Sequence, residues 1–359
     1  MRKTQLYKIF FLVSFWILAT AFIVFFGAAT VGFKSTIGHT GYSFSRVLII
    51  GLLVSFVFSI VMATFEVLFF NKLLRKKPLG IALTSKTLFY LLCIFIGTSI
   101  VVLINYSGEI EKPIFHTDTF TTYTKEYLFN LELLANLLYW GFIISISLFI
   151  LHVSDKFGQG VLLNFILGKY HHPKEEKRIF MFMDLKSSTT YAEILGHIKY
   201  SELIQDCFFD LTDVVANNEA NIYQYVGDEV VLSWDFEKGH KKNNFINTYF
   251  EYMKAIAKRS KYYEKKYGVV PEFKAGISSG YATVAEVGEL KKELAYHGDV
   301  LNTASRIQGV CNKYNKSLLI SEELENNLNL DFGYKKVLIG SIELKGKLQP
   351  VNIYSIENV

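Results

Sequence analysis

The chain has 359 residues, 51% of them hydrophobic, with a net charge of +5 at pH 7 and a positive mean hydropathy of +0.25. That balance is too apolar for an ordinary soluble protein and points to membrane spans. So modest a charge excludes an electrostatic case for nucleic acid, and three scattered cysteines, Cys93, Cys207 and Cys311, exclude a disulfide framework.

No charge occurs from Ile9 to Phe33, a stretch long enough to cross roughly 30 Å of hydrocarbon as a helix. Arg2, Lys3 and Lys8 before it and Gly27-Ala28-Ala29 within it invite comparison with a cleaved signal peptide. Its apolar core is too long for one and further spans follow, so an uncleaved helix is predicted. Val47–Phe70, Thr87–Tyr106 and Leu133–Leu151 complete four predicted spans within residues 1–152.

Lys and Arg concentrate at the N-terminus and in the second connection, which holds Lys72, Arg75, Lys76, Lys77 and Lys86. The first connection has only Lys34 and Arg46, and the third sets Lys112 and Lys125 against Glu109, Glu111, Asp118 and Glu126. This bias predicts both termini in the cytoplasm of a multi-pass protein of the plasma (inner) membrane. Glu66 is the one ionisable residue well inside a span, and its place near the cytoplasmic edge predicts snorkelling toward Lys72 or Arg75. The 105–130 connection has room for a small extracytoplasmic cap and carries no ligand motif.

Residues 153–176 read as a cytoplasmic connector. Val161–Gly168 is apolar but too short to span, and is expected to pack against its twin in a dimer or to lie at the membrane surface. Lys169–Arg178 reads as a polar linker, with His171 and His172 solvated.

Residues 177–359 read as one α+β domain. Arg178–Asp184 is an apolar run ending in Asp, suited to a buried strand, and Tyr191–Val215 has helical spacing. Ile222–Trp234 reads as strand, Gly227-Asp228 turn, strand. Phe245–Tyr267 is an amphipathic helix, Phe273–Val287 a strand pair with Gly276 and Gly280 inside it, and Asp299–Tyr314 a helix. Ser317–Ile320 is a strand and Tyr334–Ile356 contains two more. Strands alternating with helices around an antiparallel hairpin predict helices packed on a sheet.

Asp184 and Asp228, each at a strand end, are what a two-cation phosphate site needs. The backbone amides of Leu185 to Thr189, through Ser187 and Ser188, open a helix and suit a triphosphate. Asn302 and Arg306, four residues apart, share one helix face, and a guanidinium there would stabilise charge on a transferring phosphoryl group. Lys345 and Lys347 are candidate phosphate contacts.

Four segments carry a resemblance: Met183–Thr189, Tyr225–Glu229, Gly298–Arg306 and Lys345-Gly346-Lys347. In order and approximate spacing they resemble the class III nucleotidyl cyclase catalytic domain, of the membrane-anchored bacterial type. The resemblance implies a ferredoxin-like core acting as a head-to-tail homodimer with active sites at the interface. Asp184, Asp228 and the Leu185 backbone would hold two Mg²⁺ or Mn²⁺ ions, while Asn302 orients the ribose and Arg306 binds the phosphates. ATP would be converted to 3′,5′-cyclic AMP and pyrophosphate. Where adenylate-forming members usually carry Lys and Asp or Thr as base-reading residues, this chain has Gln224 and Ala295. Gln can donate to adenine or accept from guanine. A guanylate or dual-specificity cyclase is therefore the alternative, followed by a catalytically silent membrane scaffold. A diguanylate cyclase is disfavoured because Val226 stands where its first signature Gly belongs.

Overall fold

The computed structural model describes residues 3–31, 44–74, 77–157, 164, 167–290, 292–325, 328, 333–342 and 350–358. The chain divides into two compact units, Met1–Phe157 and Gly158–Val359.

Among the described residues of the first unit, four helices are long and apolar enough to cross a membrane. They are α1 (Lys3–Val31), α2 (Phe44–Phe65), α3 (Leu79–Ile110) and α4 (Leu131–Phe157). Each predicted span is helical over its described residues. α3 and α4 run past the predicted ends because hydropathy marks only the apolar middle, whereas a helix continues until its backbone is broken. For α3 the breaks are Pro78 and a left-handed Glu111 (φ 54°). Inside the unit, Trp16 Nε1 donates to Ser147 Oγ (3.0 Å), and Thr20 Oγ1 donates to Ser55 Oγ (2.8 Å).

Glu66 corrects the sequence expectation. At the end of α2 the backbone widens into a π turn, Glu66–Phe70, and Glu66 is only 1% exposed. Its carboxylate accepts hydrogen bonds from Lys86 Nζ (2.5 Å) and Tyr90 Oη (2.7 Å), both on α3. Lys86 also donates to Asn71 Oδ1 (2.9 Å). The acid is paired inward rather than snorkelling, since a buried charge needs a partner within the low-dielectric interior. The side chains of Lys72 and Arg75 lie outside the described residues.

The second unit is built on a mixed sheet with helices against it. Its strands are β1 (Lys174–Leu185), β2 (Asn221–Val226), β3 (Glu229–Asp235), β4 (Phe273–Val287), β5 (Glu293–His297), β6 (Leu318–Ser321), β7 (Tyr334–Ile342) and β8 (Val351–Asn358). Their order is β2-β3-β1-β4-β6-β8-β7, with β5 paired to β4. Among the described residues, only the β4–β6 pairing is parallel. β1 reads as a continuous apolar run because both of its faces are covered. Ile179, Met181 and Met183 enter the core formed with α5 (Ser188–Asn217), α6 (Asn244–Lys258) and α7 (Ser260–Tyr267). Phe180 and Phe182 face the other way, toward Val300 and Ala304 of α8 (Asp299–Gly309).

Several boundaries differ from expectation. β1 begins at Lys174, inside the stretch read as a linker, because Lys174 to Lys177 pair with β4 even though Lys174, Glu175 and Lys177 are exposed. The predicted strand pair 273–287 is one 15-residue strand, β4. Gly276 and Gly280 are not breakers there. A Cβ on Gly276 would lie 2.2 Å from Gln308 N, so that glycine lets α8 lie directly on the strand. The 191–215 helix breaks at Gly196 (φ 71°), and the 245–267 helix divides at Arg259. β5 was not predicted. The Val161–Gly168 run is described only at Asn164, Leu167 and Gly168, and Lys345–Lys347 falls outside the described residues.

Candidate active site

β1 carries Asp184 at its far end, on the same face as Phe180 and Phe182. Its cross-strand partners are Glu229 of β3 and Lys274 of β4. Asp228 completes the two-residue turn that joins β2 to β3, where Gly227 adopts φ 63° as a tight hairpin turn requires. The sheet register and the turn therefore bring two aspartates, distant in sequence, to one point.

The electrostatics there are unusual for a surface. Burial first, and then the Asp228 charge, pushes the Asp184 carboxyl above its ordinary range, with Lys274 pulling the other way. Burial, then Asp184 and Asp228, raises Glu229 to about 7. Lys274 Nζ stands 3.4 Å from Asp184 Oδ2, and Gln308 Nε2 donates to the same oxygen at 3.1 Å. Crowded carboxylates with a single nearby ammonium form a site short of positive charge. Such a donor set fits hard divalent cations. No group of three His, Cys, Asp or Glu side chains able to hold a metal occurs among the described residues. An ion held by Asp184 and Asp228 would thus draw further oxygens from backbone, water or substrate phosphates, as Mg²⁺ commonly does.

The β1–α5 turn borders these acids. Ser187 has a left-handed backbone (φ 57°), and its carbonyl accepts from Tyr191 N at 3.0 Å, while Ser188 begins α5. A non-glycine residue held at positive φ marks a constrained turn. The first amides of α5, at Ser188 and Thr189, have no intrahelical acceptor and carry the positive end of the helix dipole. Tyr200 lies beyond the Gly196 kink, and burial followed by the Asp228 charge raises its hydroxyl pKa.

Gln224 and Ala295 sit on two other strands of the sheet. Gln224 is exposed on β2, and Ala295 is on β5 opposite Ala285 of β4. A bulge in the β2–β3 ladder falls at Tyr223. Its ring meets Tyr296 edge-on at 5.0 Å, and its hydroxyl accepts from Tyr296 N at 3.4 Å. The immediate neighbours of Gln224 and Ala295 are thereby in contact.

Asn302 and Arg306 do not join the acids. On α8, Val300, Thr303, Ala304, Ile307 and Gln308 are buried, so this face packs on the sheet. Two residues from Val300 and from Ala304, the helical period turns Asn302 and Arg306 through roughly 200° to the opposite side. Asn302 is exposed and Arg306 partly so. Tyr200, Lys274 and Gln308 were not singled out from sequence. Glu229 was quoted within a motif but given no role. Lys274 is visible only through strand register, and Gln308 only through helix packing.

Residues 170–358 match the family model described as "Adenylate and Guanylate cyclase catalytic domain". Among curated proteins, the chain is 31% identical over 209 residues to adenylate cyclase 2 of Rhizobium meliloti (strain 1021), covering 58% of each chain. It is 23% identical over 183 residues to an adenylate cyclase of Anabaena cylindrica, covering 49% of this chain and 36% of that one. Among solved structures, a bacterial light-regulated adenylyl cyclase aligns with a TM-score of 0.54 at 15% identity, over 65% of this chain and 67% of that one, a likeness of fold. The chain thus spans 58% or less of the length of these curated relatives.

Proposed function

Because the chain belongs to the adenylate and guanylate cyclase catalytic domain family, we propose that it is a membrane-bound adenylate cyclase working as a homodimer. The observation that carries this proposal is the meeting of Asp184 and Asp228 at the end of β1 and the hairpin tip, with Asn302 and Arg306 turned away from them. One copy supplies the acids, and a second copy, facing it head to tail, supplies the α8 side chains.

Asp184 and Asp228, with the Leu185 carbonyl, would hold two Mg²⁺ or Mn²⁺ ions, which when bound would lower the pKa of the ATP 3′-hydroxyl and neutralise the triphosphate. The amides of Ser187, Ser188 and Thr189 bind phosphate oxygens at the start of α5. Arg306 of the second copy stabilises charge on the α-phosphate, and Asn302 orients the ribose. Lys345 and Lys347 add phosphate contacts. The bond from O3′ to the α-phosphorus forms as the bond to the bridging oxygen of the β-phosphate breaks. Pyrophosphate leaves, and the hydroxyl proton passes to solvent.

Gln224 and Ala295 support a second reading, a guanylate or dual-specificity cyclase. Gln224 presents both a donor and an acceptor, and Ala295 offers no side-chain hydrogen bond. The basic connections support both termini and the catalytic unit lying on the cytoplasmic side of the plasma membrane.

The test is to incubate the purified chain with ATP or GTP and Mn²⁺ and identify the products, then to mix copies. Asp184→Ala and Arg306→Ala should each be inactive, and co-expressed they should regain partial activity through mixed dimers. A mixture as inactive as its parents would refute the shared site. Substantial Mn²⁺-supported activity in Asp184→Ala or Asp228→Ala would refute the metal assignment.

A further inference from the structure

We propose that the four-helix unit contains a binding site for an uncharged, membrane-partitioning amphiphile with a long apolar body and one hydrogen-bonding head, of the chemistry of a long-chain alcohol. Within this unit is a cavity of about 650 Å³ lined by all four long helices. That volume falls among sites that hold small organic ligands. It extends along α3 from Tyr90 to Val102, roughly 18 Å at the rise of an α-helix.

The walls specify the ligand. Val54, Ile94, Val101, Leu137 and Ile144 supply apolar surface, and Gly51 and Gly97 keep two helices bare. A Cβ placed on Gly97 would meet nothing within 4 Å, so the space beside it is open. Among the described residues, no Lys, Arg, His, Asp or Glu lines the cavity. Below Tyr90, the charges of Glu66 and Lys86 are spent on one another. A carboxylate or phosphate head would therefore find no counter-charge.

Of the polar lining residues, Thr20, Ser55, Ser59 and Tyr90 bond within the unit, and Thr98, Tyr127 and Asn136 lie toward the end bounded by the α3–α4 connection. Thr98 Oγ1 accepts from Tyr127 Oη at 2.7 Å. Asn136 of α4 has no hydrogen bond among the described residues. An amide facing hydrocarbon without a partner is costly. A hydroxyl at this end of the cavity both accepts from Asn136 and donates to it.

Two of the chain's three tryptophans, Trp16 and Trp140, line the cavity, and Trp234 is fully buried in the other unit. The full chain, reconstituted in phosphatidylcholine vesicles, is titrated with 11-bromo-1-undecanol, whose bromine quenches indole fluorescence. Quenching should saturate and be reversed by excess 1-undecanol. Gly97→Phe should abolish the saturable phase by filling the cavity. Asn136→Leu, which adds no bulk to a helix wall, should weaken it about fivefold, the loss of one neutral hydrogen bond. Ionised 11-bromoundecanoate should give no saturable phase. Quenching that rises in proportion to bromoalkyl content in both wild type and Asn136→Leu would mean that lipid chains alone reach the indoles, and would overturn the proposal. Equal saturation by the carboxylate would overturn the neutral head. The fluorescence is independent of nucleotide turnover, so failure here leaves the cyclase proposal standing, and the reverse.

Discussion

Gly276→Ala offers a direct link from packing to catalysis. The added Cβ would lie 2.2 Å from Gln308 N, 2.5 Å from Ala304 O and 2.7 Å from Gln308 Cα. These are backbone atoms in the body of α8 and cannot rotate aside. Ordinary contact begins near 3.4 Å, so α8 must retreat from β4 by about 1.2 Å (3.4 less 2.2) at that point. Overpacking of this kind costs about 1–3 kcal/mol, with α8 retaining its apolar contacts. In a unit of this size the melting temperature should fall by about 3–10 °C. The catalytic loss should be larger than the stability loss. Moving α8 stretches the 3.1 Å bond from Gln308 to Asp184 past hydrogen-bonding range and displaces Asn302 and Arg306 together. A misplacement near 1 Å can cost about 100-fold in rate. Gly280→Ala is the matched control, because its Cβ would meet only the Val300 side chain, at 3.2 and 3.5 Å. Thermal melting and cyclic-nucleotide formation are measured for both variants. If Gly276→Ala equals Gly280→Ala in both readouts, the close seating of α8 does not position the site.

Glu229→Gln should stabilise the catalytic unit at pH 8 and have no effect near pH 4. The folded state raises this carboxyl to about 7, so the native state pays to ionise it. That cost is absent below the unfolded pKa and complete above the folded one. After discounting for solvent screening it amounts to about 1–2 kcal/mol, and a variant no more stable than wild type at pH 8 would show that the three acids do not crowd one another. Lys86→Met leaves Glu66 buried without its cation, which should destabilise the helical unit by about 3–5 kcal/mol in detergent unfolding. The pair Lys86→Met with Glu66→Gln should recover most of that loss, and equal stability of the single and double variants would count against the ion pair. Gln224→Lys with Ala295→Asp should raise the ratio of ATP to GTP turnover, and an unchanged ratio would place the base pocket elsewhere.

What the sequence made legible was what short-range pattern determines. The Gly227-Asp228 turn, the apolar run ending at Asp184, and the face shared by Asn302 and Arg306 all follow from neighbours a few residues apart. Features set by distant partners were not legible. Gly276 reads as a strand interruption until α8 is known to lie on it, and the polar residues 174–177 read as linker until β4 is long enough to pair with them. Glu66 finds Lys86 twenty residues on, across a π turn that no periodicity announces. Tyr200 feels the charge of Asp228 from beyond the bend of α5 at Gly196, and Gln308 reaches Asp184 because α8 crosses the sheet.

The placement of β1 constrains how any signal from the membrane helices can act. β1 is the first strand after the connector, and it is clamped on both flanks, through seven residue pairs to β3 and twelve to β4. A slip by one residue would carry Asp184 to the opposite face of the sheet, so the strand cannot slide by small amounts. A tug applied at Lys174 therefore reaches Asp184, roughly 33 Å away at strand rise, as movement of the whole slab. In the proposed homodimer, control would therefore fall on how far the sheets of the two copies open and at what angle they meet.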